Sequence, residues 1–214
     1  MNHRFRNVLA GSLSAENRRK TIIPIASLVV LTLFGTSISN ADYGTAHIKI
    51  GSNTNGPGFQ YWLDSSVSAN GYTDTVANAA TNWSAVSNST ANLWQITDAS
   101  LAQIKVYVGS LGSGVFGETS YWNRSGSSLT NVAVSSITSG TNYDVARIVL
   151  DATNMSGWTW EERCMNTGHE IGHALGLSHF ETYPAHSGDH WMKSGQFSLS
   201  SPTSTDADHL AYKW

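Results

Sequence analysis

Residues 169–179 read His169-Glu170-Ile171-Gly172-His173-Ala174-Leu175-Gly176-Leu177-Ser178-His179. Four residues apart on a helix, His169 and His173 share a face and can turn their imidazoles toward one ion. Glu170 follows the first ligand directly, which sets its carboxylate beside the ion and outside the ligand set. Gly176 tolerates the positive φ that ends a helix and turns the chain. That turn would bring His179 back as a third nitrogen ligand. Three protein ligands leave a fourth position for water, the arrangement of a catalytic zinc, whereas a structural zinc is closed by four.

The spacing HExxHxxGxxH is similar to the zinc signature of the metzincin metallopeptidases, and His169 through Leu177 most resembles the matrixin branch. A methionine turn beneath the metal belongs to the same resemblance, and Met192 in Trp191-Met192-Lys193 would supply it as a packing floor. Ser194 stands where astacins and serralysins carry Tyr. Phe180 stands where adamalysins and reprolysins carry Asp and where matrixins usually carry a smaller residue, so at this position the chain departs from the matrixin pattern. His179 separates it from snapalysin-like enzymes, whose third ligand is Asp.

The resemblance implies an α+β zincin domain, a twisted and mostly parallel five-stranded sheet with an active-site helix and a C-terminal helix. It implies one catalytic Zn(2+), with Glu170 as general base for the water that attacks a peptide carbonyl of a protein or peptide substrate. Phe116-Gly117-Glu118-Thr119-Ser120-Tyr121-Trp122 falls where such domains keep an edge strand, so Gly117, Glu118 and Thr119 would bind extended substrate. Matrixins also hold a structural zinc through histidines between strands. This chain has no His from 48 to 168, so that ion is not expected. Calcium stays open as a second ion: Asp144, Asp151 and Asn154 offer oxygens, although their spacing matches no compact loop such as the EF-hand.

The beginning of the 214-residue chain reads as a leader rather than as fold. Arg4, Arg6, Arg18, Arg19 and Lys20 precede an apolar stretch from Ile22 to Phe34, and Ser39 and Ala41 suit signal-peptidase positions −3 and −1. Residues 1–41 are therefore expected to be a signal peptide and residues 42–214 a single catalytic domain. A membrane span needs about 20 apolar residues, which makes a retained anchor the weaker alternative. General secretion is favoured over twin-arginine export, because Lys20-Thr21 follows the arginine pair. The expected location is extracellular or at the cell envelope, in a bacterial source.

Of 12 Lys+Arg and 15 Asp+Glu, five and one fall before residue 42, which leaves a net charge of −7 on the remainder. No basic run is present, so phosphate-backbone binding lacks its electrostatic footprint and nucleic acid is not an expected partner. The product is expected to be a monomer. A single cysteine, Cys164, excludes an internal disulfide. Five residues before His169 and turned away from the ligand face, it reads as a buried helix residue rather than a latency switch.

Around the motif, residues 60–63, 104–108 and 146–150 read as strands and 73–86 as an amphipathic helix with Val76, Ala79, Ala80, Trp83 and Val86 inward. Thr159 with Glu162 forms a capping box that starts the active-site helix, which would run through Leu175. Residues 206–214 suggest a last helix, and the Gly- and Ser-rich 109–142 reads as loops around a short strand. His186, His190 and His209 are expected at the surface or in packing. Trp158, Trp160 and Trp191 flank the site and would line its cleft. Two readings compete with the peptidase: a zinc-containing adhesion or binding module without catalysis, and a zinc amidase acting on cell-wall cross-links.

Overall fold

The alternation of Ile104-Lys105-Val106-Tyr107-Val108 buries Ile104 and Val106 completely and makes this strand a centre of the sheet. The computed structural model describes residues 58–181 and 185–214, all inside the unit Ser37–Trp214. The expected signal peptide, residues 1–41, lies outside the described residues. In order, the chain forms β1 (Phe59–Leu63), α1 (Ser65–Ala69), α2 (Thr73–Ser84), β2 (Leu93–Gln95), β3 (Ile104–Val108), β4 (Gly117–Ser125) and β5 (Ser128–Val132). There follow α3 (Val134–Thr138), β6 (Val145–Leu150), α4 (Trp160–Ala174) and α5 (Ser204–Lys213).

The six strands form one mixed sheet in the order β2-β1-β3-β6-β4-β5. β2, β1, β3 and β6 run parallel, while β4 runs antiparallel to β6 and β5 antiparallel to β4. Among the described residues the sheet has six strands where five were expected; three of its five pairings are parallel, and the α+β class and the C-terminal helix stand. The reading of 109–142 as loops around a short strand holds for β4, which is longer than expected, and is corrected for the second strand and the helix that follow it. That stretch holds the nine-residue β4, the β5 hairpin and α3.

The physical reason lies in exposure. Ser128–Leu129–Thr130–Asn131 of β5 all face solvent, so the strand carries no inward apolar alternation to betray it. Its turn is Gly126-Ser127, with Gly126 at φ 59 in the first central position that a tight hairpin reserves for glycine. β2 is only three residues long and adds outside β1.

The core lies between the sheet and the helices α2 and α4. Val76, Ala79, Ala80 and Trp83 of α2 are buried at helical spacing, as the pattern predicts, whereas α2 ends at Ser84 and Val86 lies beyond it, half-buried. Trp83 carries its indole N–H to the Gly168 carbonyl of α4 at 2.8 Å, so α2 is fastened to the helix that bears the motif. Trp62 and Trp122 are half-buried on the sheet, and Trp62 meets Tyr107 edge-on at 5.7 Å. Among the described residues no helix is long and apolar enough to cross a membrane.

Candidate metal centre

α4 starts where the sequence says it should. Thr159 Oγ1 accepts from Glu162 N–H at 3.2 Å, and Glu162 Oε2 accepts from Thr159 N–H at 2.7 Å. The helix ends in a Schellman turn: Gly176, at φ 89, donates to the His173 carbonyl at 2.9 Å and Leu177 donates to Gly172 at 3.0 Å. Three side chains satisfy the last carbonyls from outside. Tyr121 reaches His173 at 3.3 Å, Tyr143 reaches Ala174 at 2.9 Å, and Trp214 reaches Leu175 at 2.9 Å. A helix end so fully capped holds its final turn, and hence His173, in one place.

The turn returns His179 to the two helical histidines. Nε2 of His169 lies 3.0 Å from Nε2 of His173 and 3.1 Å from Nε2 of His179. The ligating atoms of the three lie within 4.8 Å of one another, close enough to hold a metal ion. The opposite ring nitrogens fix the tautomers. His169 Nδ1 faces the Trp191 carbonyl at 2.6 Å and His173 Nδ1 faces the Leu177 carbonyl at 2.8 Å. A carbonyl only accepts, so both Nδ1 atoms carry the proton and both Nε2 atoms present bare lone pairs.

Burial reinforces that state. It holds His169 down to about 4, with His179 adding to the effect, and it holds His173 and His179 below the ordinary imidazole value. Neutral imidazoles with converging lone pairs are the donor set of a zinc, copper, iron or nickel ion. Among the described residues, no other group of three or more His, Cys, Asp or Glu ligand atoms comes this close.

Glu170 is buried beside the triad, and burial pushes its carboxyl up to about 7, with Glu118 contributing and Thr119 opposing. Thr119 Oγ1 lies 2.7 Å from Glu170 Oε2. A β-carbon on Gly117 would sit 2.6 Å from Glu170 Oε1, so glycine at 117 leaves room for the carboxylate. Glu118 is exposed. β5 covers β4 only from Tyr121 to Ser125, so among the described residues no strand pairs with Gly117–Ser120 on that side. Gly117, Glu118 and Thr119 border a cleft of ≈ 360 Å³ whose walls also include His169, Glu170, His173, His179, Lys193, Ser194 and Gly195.

On α4, two glycines four apart admit two large side chains. A β-carbon on Gly168 would strike the Trp191 ring at 2.3 Å, and one on Gly172 would strike Met192 Sδ at 2.2 Å. Met192 is fully buried there. Trp191 is fully buried as well, edge-on to Trp83 at 5.3 Å, so it packs under the helix and does not line the cleft as expected. Trp158 packs on Phe116 at 4.5 Å and Trp160 is 40% exposed, and neither borders the cleft.

The backbone at Trp191 and Met192 is held by Asp206 of α5, whose Oδ2 and Oδ1 accept from their N–H groups at 3.0 Å each. Sequence reasoning missed Asp206, although Thr203-Ser204-Thr205-Asp206 is a readable capping box. It also missed that the Trp191 carbonyl orients His169, which no side-chain pattern reveals.

Cys164 is buried, its thiol pushed up to about 12 by burial first and Glu161 second. The oxygens of Asp144 and Asp151 accept backbone N–H groups of Arg124, Leu111, Thr153 and Asn154, and so serve as loop anchors rather than as a shared cation site. Compared with known proteins, the chain matches no family model and has no significant similarity to a curated protein.

Proposed function

We propose that this chain is an exported zinc-dependent endopeptidase of the metzincin type. The observation that carries the reading is the convergence of the three Nε2 atoms on one point, with the buried Glu170 carboxylate alongside and an open strand edge at Gly117–Ser120. A bound zinc would supply Lewis acidity and an acidified water at its open position.

The remaining chemistry belongs to the protein. His169, His173 and His179 would hold the ion, their Nδ1 partners keeping the rings aimed. Glu170 takes a proton on a carboxylate oxygen and returns it to the departing amine. Burial raises its carboxyl, and the charge of a bound ion beside it would favour the ionised form that accepts the proton. Thr119 orients Glu170. The unpaired backbone of Gly117–Ser120 would pair with an extended peptide and lay its scissile carbonyl over the site. Specificity for peptides over other amides rests on this strand pairing. The leader motif supports action outside the cell.

The test is casein cleavage by the full chain against its Glu170→Gln variant, with metal content measured for both. Cleavage lost at least a hundredfold in the variant, with zinc retained at the triad, is the expected result. Equal cleavage by both proteins, or no zinc retained by the native chain, would overturn the proposal. Zinc retained without cleavage by either protein would shift the reading to a binding module or to a cell-wall amidase, the latter scored by peptidoglycan release.

A further inference from the structure

Phe180, immediately after the third histidine, is fully buried and ringed by three further imidazoles. The His186 and His209 rings lie 4.8 Å from it and the His190 ring 5.6 Å. His190 is engaged on both nitrogens, Nδ1 with Thr203 Oγ1 at 2.7 Å and Nε2 with the Ser187 carbonyl at 2.9 Å. His186 and His209 instead face each other, Nε2 to Nε2, at 3.1 Å with ring planes 77° apart.

That separation is the one found between His169 and His179. It is also close to the geometry demanded by a shared ion, since two nitrogens each about 2.0–2.1 Å from one tetrahedral metal stand roughly 3.3 Å apart. Burial, with His190 adding to it, lowers His186 from its ordinary value, which favours the neutral form that ligates. His209 is buried on α5, and His186 is half-buried on the segment that follows the third ligand.

We propose that His186 and His209 hold a second late transition-metal ion through their Nε2 atoms, with water completing its coordination. Imidazole pairs suit Zn(II) and, with higher affinity, Cu(II). With one imidazole fewer, this site binds more weakly than the three-histidine centre. Occupied, it ties the segment around His186 to α5 and clamps Phe180, the direct neighbour of His179. This gives position 180 a role: its large ring is the packing centre of the second site. The inference does not depend on the peptidase reading.

Equilibrium dialysis of the untagged full chain against excess zinc would decide it. The native chain is expected to retain about two ions, and His186→Ala about one. His169→Ala/His173→Ala is expected to retain about one, and the triple variant none at these sites. His186 is half-buried, so its replacement is the milder change, and circular dichroism of each variant checks folding. A second readout uses Cu(II) added to His169→Ala/His173→Ala, whose electron paramagnetic resonance should show coupling to two nitrogens that His186→Ala removes.

Equal zinc retention by the native chain and His186→Ala, or a copper signal insensitive to that change, would overturn the proposal. If His186→Ala loses an ion while His169→Ala/His173→Ala loses none, the second site stands and the three-histidine reading fails.

Discussion

Thr119 Oγ1 lies 2.7 Å from Glu170 Oε2 and 3.0 Å from the Glu170 carbonyl oxygen, so one hydroxyl on β4 touches both the side chain and the backbone of the residue beside the histidines. Only one proton is available, and the shorter contact marks the carboxylate as its acceptor. Thr119→Val keeps the shape and removes the donor. The expected outcome is a fall in kcat of roughly tenfold, about 1.4 kcal/mol, with KM and metal content near native. Thr119→Ser restores the rate. If the valine variant cleaves casein as fast as the native chain, Thr119 merely packs.

Gly172 and Met192 make the second close relationship. On an exposed helix, Gly→Ala would stabilise by about 1 kcal/mol. At Gly172 the new β-carbon would lie 2.2 Å from Met192 Sδ and 3.1 Å from the Trp83 ring. Overpacking of this kind costs about 1–3 kcal/mol, so Gly172→Ala is expected to lower stability in spite of its better propensity. When it is combined with Met192→Ala, which removes the colliding atom but opens a cavity, the loss should be smaller than the sum of the two single losses. Urea unfolding of the two single variants and the double variant measures the coupling. A stabilised Gly172→Ala would show that Met192 moves freely away.

What the sequence reveals follows from how the information is stored. The three histidines, Glu170, the capping box at Thr159 and the stop at Gly176 are set by spacing along one helix and its turn, which a linear reading resolves. α2 is legible because a buried face repeats at helical period. β5 is not, since its side chains face water and its pairing rests on backbone bonds and Gly126. The positioning contacts are also hidden. Trp191 offers its carbonyl to His169, and Asp206 reaches Trp191 across 15 residues, relations that only the folded chain creates. Gly168 and Gly172 were visible as letters, yet their meaning needs the partners that fill them.

Asp206 is fully buried and accepts backbone N–H bonds from Trp191, Met192 and Thr203, together with the Thr203 hydroxyl at 2.8 Å. Asp206→Asn turns an amide N–H₂ toward at least one of those donors and leaves it unsatisfied. A loss of about 2–4 kcal/mol is expected. Because the Trp191 carbonyl also orients His169, zinc affinity should fall with stability. Chemical denaturation and a competitive zinc titration on the same variant measure the two effects. Loss of stability with unchanged zinc affinity would separate Asp206 from the metal centre.

Asp151 predicts an acid dependence away from the histidines. Its Oδ1 accepts from Thr153 and Asn154 at 2.9 Å each, and its Oδ2 accepts from Leu111 at 2.7 Å, so it joins the turn after β6 to the loop leading toward β4. The Asn154 and Leu111 backbone bonds lower its carboxyl below the ordinary 3.8. A depressed folded value means that the unfolded chain binds the proton more readily. The contribution is therefore fully present above the unfolded value and is lost as pH falls through the folded one. Asp151→Asn, which cannot ionise, should be less stable than the native chain by a constant margin from neutrality down to about pH 5. That margin should shrink as the pH drops below about 4. Urea midpoints of both proteins between pH 7 and 3 measure it, and a margin that stays constant to pH 3 would mean that ionisation of Asp151 contributes nothing.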